Sequence, residues 1–322
     1  MKHTPWITLF LILAFFAAQL MGLLIISQYV NIEASSASGM TVLHEEQYFI
    51  EPPRVEDESF SFIFIMLLVL FGTAIILLLV KFKRRRFWKL WFLLSVVISL
   101  SLGFFPFIRK ALTSIAPGIS NDALTITFVI ALFLGLWKVF RPNVWVHNFT
   151  ELFIYGGIAA LLVPIINVFS AFFLLLSISL YDIFAVNKSK HMVRMAEFQT
   201  ESKVFAGLFM PYGRQQTKIA RRPAANVPLP QARRLMTKKD KAGNAPSGAT
   251  AVLGGGDIAF PLLFTGALLK TTGSFFAAFI VVITATIGLS WLLLTAKKGK
   301  FYPAMPAISI GCVAGYLFTL LL

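Results

Sequence analysis

The sequence predicts an all-α polytopic membrane protein with nine transmembrane helices. Of its 322 residues, 57% are hydrophobic and only 13% are charged, and the mean hydropathy is +0.79. Several apolar runs approach the ~20 residues that a helix needs to cross a bilayer. The basic residues, which give a net charge of +15, cluster beside these runs. We therefore expect this charge to set membrane topology and not to bind nucleic acid.

The first two apolar runs fix the predicted orientation. The run at residues 6–28 is longer than the roughly 7–15 apolar residues of a cleaved signal peptide, so we expect an uncleaved first helix. An acidic loop at 31–59 leads to a second run at 60–80. The segment from Lys81 to Lys89 is short, strongly basic and flanked by apolar runs, which predicts a cytoplasmic position. The N-terminus is then cytoplasmic, and the acidic loop lies outside.

The remaining runs alternate in direction around one long basic loop. The runs before that loop are residues 90–108, 123–140, 149–164 and 168–187, and those after it are 249–269, 274–296 and 303–322. The loop, residues 188–250, separates helices 1–6 (residues 1–187) from helices 7–9 (residues 251–322). We expect it to be cytoplasmic and largely disordered, with an amphipathic interfacial helix before about residue 202. The C-terminus is then outside.

Two acidic residues lie inside these apolar runs. Asp182 lies five residues before the end of the sixth run, and Asp257 about eight residues after the start of the seventh. Both are then roughly 8–12 Å below the cytoplasmic surface, at a helical rise of about 1.5 Å per residue. A carboxylate in a membrane is costly and indicates a functional site. No other carboxylate is predicted as deep, because Asp122 and Glu151 fall at helix ends.

Two carboxyl groups facing each other at one depth have the chemistry of an aspartic protease. In a medium of low dielectric constant both cannot ionise cheaply, so one keeps its proton. The ionised member takes a proton from water, which attacks a peptide carbonyl, and the protonated member donates to the carbonyl oxygen or the leaving amine. Such a reaction needs no metal or other cofactor, and the four scattered histidines form no metal-binding motif.

Two backbone motifs accompany the aspartates. The glycines before Asp257 are poor helix formers, so the backbone there can unwind and leave room for an extended substrate strand, although small residues also suit plain helix packing. The prolines that open the last run prevent a regular helix start. A tyrosine before Asp182 fits either an orienting role or packing. The candidate supporting residues are Tyr181, Gly254, Gly255, Gly256, Pro303, Ala304, Met305 and Pro306.

These motifs resemble those of the presenilin and signal peptide peptidase family of intramembrane aspartyl proteases. Tyr181-Asp182 is similar to the YD motif, residues 254–257 to GxGD, and residues 303–306 to the PAL motif, with Met305 where the family usually has Leu. The resemblance implies nine helices, catalytic Asp182 and Asp257, and hydrolysis of peptide bonds within transmembrane segments. It also implies that the substrates are single-span membrane proteins or peptides and that the protein contacts membrane lipid. It does not decide whether the protein forms a homo-oligomer.

Other readings of the aspartates explain less of the sequence. A transporter or channel could use paired carboxylates as a proton or cation site, but no inverted repeat relates the two halves and the aspartates are not at the midplane. A prepilin-type peptidase also has GxGD, yet a basic residue would be expected soon after it, whereas residues 258–260 are Ile-Ala-Phe. A catalytically dead scaffold would not need both acids. Two sequons, at Asn148 and Asn187, fall on the predicted cytoplasmic side, and we interpret both as chance.

Overall fold

The computed structural model describes most of the chain. The described residues are 5–44, 47–53, 55, 57–82, 84–115, 117–141, 143–186, 205–211, 250–296 and 302–322. The predicted interfacial helix before residue 202, the greater part of the predicted linker and the second sequon at Asn187 lie outside these residues.

Ten α-helices and one small sheet make up the described part of the chain. The helices are α1 Pro5–Tyr29, α2 Ile32–Ser38, α3 Ser61–Lys81, α4 Arg85–Ile115, α5 Ala123–Phe140, α6 Val144–Leu162, α7 Val168–Phe184, α8 Gly256–Thr272, α9 Phe275–Thr295 and α10 Met305–Thr319. Short 3-10 turns precede α3, α5 and α7. The strands β1 (Gly207–Pro211) and β2 (Thr250–Gly254) pair in antiparallel register.

Membrane crossing follows from the length and composition of these helices. Six stretches, corresponding to α1, α3, α4, α5, α6 and α9, are long and apolar enough to span a bilayer, and α7 and α10 are shorter apolar helices. A helix satisfies its backbone N–H and C=O groups with hydrogen bonds within the segment, as the water-free core of a bilayer requires. The chain is therefore an integral, multi-pass membrane protein.

The predicted helix boundaries lie within about three residues of those in the structure except in α4, α6 and the segment around the glycine motif. α5 spans the predicted residues 123–140, but α8 begins at Gly256 and not at residue 249. Residues 250–254 form β2 instead, and they pair with β1, which lies inside the segment predicted as a largely disordered loop. α4 is longer than the predicted run at 90–108 because the helix continues into basic sequence at one end and past Pro106 at the other.

The largest core forms where α1, α7, α8, α9 and α10 meet. Within it α9 and α10 approach most closely at glycines: a Cβ atom at Gly288 would collide with the Ala307 carbonyl, and one at Gly311 with the Thr284 carbonyl. Small residues allow such backbone approach where lipid supplies no hydrophobic drive for association. The start of α10 is thereby held in a fixed position beside α9.

A polar cluster ties the chain together at the end of α8 remote from the sheet. The Lys270 ammonium donates to Glu58 Oε2 and to Thr41 Oγ1, each at 2.8 Å, and to the Pro164 carbonyl at 3.4 Å. It joins the connection between α2 and α3 to the C-terminal ends of α6 and α8. Every hydrogen-bonding proton of the buried ammonium has an oxygen partner, as burial of a charge requires.

Candidate active site

Asp257 lies at the N-terminus of α8. It is the second residue of that helix, so the prediction that it lies about eight residues inside a helix was wrong, because the preceding residues form β2. Its carboxylate forms a hydrogen bond with the backbone N–H of Gly254. The first N–H groups of a helix have no partner within it and favour a negative charge nearby. The helix end and the glycine turn therefore both orient the carboxylate.

Asp182 lies in the last turn of α7 and meets the N-terminus of a different helix. Its Oδ2 accepts a hydrogen bond from the backbone N–H of Met305 at 3.3 Å, and the N–H of Ala304 also bonds to this carboxylate. Met305 is the first residue of α10, so its N–H has no partner within the helix. The proline-flanked segment, predicted as a wall of the site, thus contacts the Asp182 side chain directly.

The prolines explain why these N–H groups are available. Residues 302–304 are not helical, and α10 begins only at Met305. Pro306 is the second residue of α10, where its missing N–H removes no helical hydrogen bond. One turn further along, Ser309 shares a buried hydrogen bond of 2.8 Å with Ser179 of α7. The two helices are therefore joined at two successive levels, of which the Asp182 contact is one.

The structure places the two aspartates on neighbouring helices. α8 packs against α7, and both of these helices also pack against α10. Asp182 is only 6% exposed. Among the described residues, no group of three or more His, Cys, Asp or Glu side chains could hold a metal ion. The last turn of α7 and the first turn of α8 therefore each carry one carboxyl group, on helices that are in contact.

The three predicted glycines occupy the junction between strand and helix. Gly254 ends β2, and Gly255 follows it with an N–H that bonds to the Ala206 carbonyl at 3.3 Å. A Cβ atom at Gly255 would lie 3.0 Å from the Tyr155 hydroxyl oxygen, whereas one at Gly256 would meet only the Phe260 ring, at 3.3 Å. The glycines therefore lie at a junction between a strand and a helix, and the expected unwinding within a helix was wrong because β2, not a helix, leads into Gly256.

Tyr181 precedes Asp182 on α7 and is half-buried.

Gln19 of α1, which no sequence motif indicated, is fully buried and donates from Nε2 to the Ile258 carbonyl at 2.8 Å. This bond fastens α1 to the first turn of α8, next to Asp257. A single glutamine in an apolar run was a signal that could have indicated this contact, because a buried amide needs hydrogen-bond partners.

A polar face on α6 is the larger feature that the sequence motifs did not indicate. Glu151 was expected at a helix end, but α6 begins at Val144, and Glu151 lies two turns inside it, 1% exposed and paired with Lys138 of α5. Lys138 was not among the predicted site residues. The polar residues His147, Glu151 and Tyr155 recur every four positions, and this helical spacing could have revealed the face.

Comparison with known proteins gives the family. The model of the family described as "Signal-peptide peptidase, presenilin aspartyl protease" matches residues 21–322. Two solved structures of a presenilin family intramembrane aspartate protease share the fold. The one in space group P2 has a TM-score of 0.59 and 15% identity over 100% of this chain and 99% of that chain.

The second, in space group C222, has a TM-score of 0.57 and 16% identity over 98% of each chain. A comparison with curated proteins finds no match. The likeness to the solved structures establishes the fold, and the family model covers nearly the whole sequence, including both aspartates and both backbone motifs. The chain belongs to the signal peptide peptidase and presenilin family of aspartyl proteases.

Proposed function

We propose that Asp182 and Asp257 form the catalytic dyad of this intramembrane aspartyl protease. The observation that supports the proposal is that the two carboxyl groups lie on packed helices, α7 and α8, and that backbone N–H groups bond to each of them. One carboxylate takes a proton from a water molecule, which attacks the peptide carbonyl of the substrate. The other carboxyl group donates its proton to the carbonyl oxygen and later to the leaving amine.

The remaining predicted site residues act through the backbone in this proposal. Ala304 and Met305 supply N–H groups to Asp182, and Gly254 supplies one to Asp257. Pre-oriented backbone donors of this kind cost no reorganisation during the reaction. Gly255 allows the turn to pack against Tyr155. We assign Tyr181, Gly256, Pro303 and Pro306 to the shape of the site and not to the chemistry.

We further propose nine membrane crossings with the N-terminus in the cytoplasm and the C-terminus outside. Among the described residues, α1 and α3 to α10 supply nine helices for this count, of which six are long and apolar enough to span a bilayer. Alternation puts the basic segment after α3 in the cytoplasm. The same alternation puts Lys270, Glu58 and Pro164 on the outer side. Their hydrogen-bonded cluster supports that arrangement, because it requires all three to lie at one end of the bundle.

The family acts on transmembrane substrates, and for this chain we propose single-span membrane proteins or peptides with their N-termini outside. A helical substrate must unwind before its peptide bond can reach the dyad, because helical peptide groups are bonded to each other. β2 runs directly into the Gly254 turn, and its Val252 is 47% exposed. We expect an unwound substrate segment to lie along this strand, and helix-weak segments to be cleaved fastest.

The dyad is tested by cleavage of a reconstituted single-span substrate with purified wild type, Asp182→Asn and Asp257→Asn. We expect each variant to lose at least about 100-fold in kcat, since each acid transfers a proton in the reaction. Asp122→Asn is the matched control, because this exposed aspartate lies outside the dyad. An aspartyl transition-state analogue should inhibit the wild type. If either the Asp182→Asn or the Asp257→Asn variant cleaved the substrate with the wild-type kcat, the assignment of the dyad would be overturned.

A further inference from the structure

The polar face of α6 holds strand β1 by its backbone. His147 Nε2 donates to the Gly207 carbonyl at 2.8 Å. Asn148 makes two bonds to one residue: its Nδ2 donates to the Phe209 carbonyl at 2.9 Å, and its Oδ1 accepts from the Phe209 N–H at 3.1 Å. The asparagine amide therefore satisfies both backbone groups of Phe209, as a neighbouring strand would.

The geometry of an antiparallel pair shows which edge of β1 these bonds occupy. Alternate residues of such a strand point their N–H and C=O groups toward the partner strand and away from it. Gly207 and Phe209 point theirs at α6, so within the paired strands Leu208 and Met210 are the residues of β1 that direct their backbone hydrogen bonds to β2. α6 thus closes the outer edge of β1, an edge that would otherwise present unpaired backbone groups.

β1 in turn holds the segment that orients Asp257. It pairs with β2 along its whole length, and the contact continues one residue further, where the Gly255 N–H bonds to the Ala206 carbonyl at 3.3 Å. Gly254, between these contacts and α8, bonds to the Asp257 carboxylate through its N–H. A displacement of β1 would therefore move the Gly254 donor relative to the carboxylate.

The α6 face is itself braced by a buried ion pair. Glu151 pairs with Lys138 of α5, and its Oε1 also lies 3.6 Å from His147 Nε2. Tyr155, one turn beyond Glu151 and 3% exposed, packs its hydroxyl against the glycine turn. Burying two charges seldom adds net stability, so such a pair is better understood as a device that specifies geometry. It fixes α6 in the rotation that points Asn148 at β1.

We propose that Asn148 is a positioning residue for Asp257. Its amide completes the edge of β1 and thereby fixes the Gly254–Gly255 turn that donates to the catalytic carboxylate. His147 acts with it on the same strand. Asn148 acts only through the backbone, and it lies in none of the three motifs of the family. The inference rests on the assignment of Asp257 to the dyad. It also accounts for the sequon at Asn148, whose amide is committed to Phe209.

The test compares Asn148→Leu, Asn148→Asp and a matched control, Asn167→Leu. Asn167 also makes one donor and one acceptor bond, to Ser59 Oγ at 3.2 Å and from the Ser170 N–H at 2.8 Å, but at the start of α7, far from Asp182. For each variant we would measure kcat and KM per folded molecule, the folded fraction, and the affinity of an aspartyl transition-state analogue.

We expect Asn148→Leu to lower kcat about 30-fold with little change in KM, because a displacement of about 1 Å at a catalytic group costs about 100-fold and the turn would move by less than that. The analogue should bind more weakly by a similar factor. Asn148→Asp keeps the acceptor for the Phe209 N–H but loses the donor to its carbonyl, so its kcat should be intermediate. Asn167→Leu should keep the wild-type kcat at a comparable loss of thermal stability.

Failure of this inference and failure of the dyad give different results. If Asn148→Leu has the wild-type kcat while Asp257→Asn is inactive, the positioning role is wrong and the dyad stands. The same conclusion follows if the activity lost by Asn148→Leu matches its lost folded fraction, or if Asn167→Leu loses as much kcat per folded molecule. If Asp257→Asn itself remains active, the assignment of Asp257 fails, and the positioning role fails with it.

Discussion

The two aspartates are held by different kinds of structure. The N–H donors to Asp182 come from the start of α10, and the bond from Met305 spans 123 positions in sequence. The donor to Asp257, Gly254, lies in the adjoining turn. Asp182 therefore depends on the packing of α7 against α10, whereas Asp257 depends on a short turn that the sheet and α6 hold in place.

This difference implies that the two halves of the site should fail in different ways. The Asp182 half is built from membrane helices with glycine-mediated contacts, such as those of Gly288 and Gly311 between α9 and α10. Structure of this kind is stiff because helical hydrogen bonds are complete and side chains interdigitate. The Asp257 half is built from two short strands, and an isolated two-stranded sheet is only marginally stable. It needs the side chains of α6.

Gly255→Ala should break the Asp257 half with the largest effect. The added methyl would lie 3.0 Å from the hydroxyl oxygen and 3.2 Å from Cε1 of the buried Tyr155, so the turn or the tyrosine must move by a few tenths of an ångström. We expect kcat to fall by about 30-fold, since a displacement of about 1 Å at a catalytic group costs about 100-fold. Steady-state cleavage of a single-span substrate measures this loss.

Gly256→Ala is the matched control for that experiment. Its methyl would meet only the ring edge of the half-buried Phe260, at 3.3 Å, which can move aside. Alanine also favours the helix that begins there. Activity close to that of the wild type is expected, and equal losses in the two variants would contradict the specific contact with Tyr155.

Ala304→Pro should weaken the Asp182 half by a smaller factor. The substitution removes one of the two N–H donors to the carboxylate, and the φ of −87° at this position is near the value that proline adopts. Loss of one hydrogen bond to a charged group predicts a kcat reduction of about 10-fold. Ala304→Ser keeps the N–H and should keep the activity. A proline variant as active as the wild type would show that this donor is dispensable.

Much of this site was predictable from the sequence because its residues carry strong local signals. An aspartate in an apolar run, three consecutive glycines and two prolines three apart each constrain the chain by themselves. Their positions in the apolar runs predicted one common site for Asp182 and Asp257, although the helical depth predicted for Asp257 was wrong because residues 250–254 form β2. The contact of Met305 with Asp182 confirms that two of these elements meet.

The sheet and the α6 face were not predictable by the same reasoning. β1 is a short strand in a basic segment, and the bonds that hold it come from Asn148, 61 positions away. Such pairing leaves no local pattern in hydropathy. Glu151 was misplaced because the polar residues of the first two turns of α6 lowered the hydropathy there, so the predicted run began at residue 149 and not at Val144, after the Asn143 cap.

The outer cluster around Lys270 offers the most sensitive test of whether the two halves are independent of the rest of the bundle. Lys270→Met keeps the length of the side chain and removes the ammonium that binds Glu58, Thr41 and the Pro164 carbonyl. Because Glu58 remains partly exposed and can be hydrated, we expect the free energy of unfolding to fall by only about 2 kcal/mol.

Thermal unfolding in detergent should register that loss for Lys270→Met, while kcat per folded molecule should stay at the wild-type value. The reason is that neither aspartate receives a hydrogen bond from the outer end of α8. Asp257 is fixed at the first turn of that helix by its glycine turn, and Asp182 by α10. A fall in kcat of the kind expected for Gly255→Ala would mean that α8 transmits strain along its length. The position of Asp257 would then be a property of the whole helix bundle and not of the turn alone.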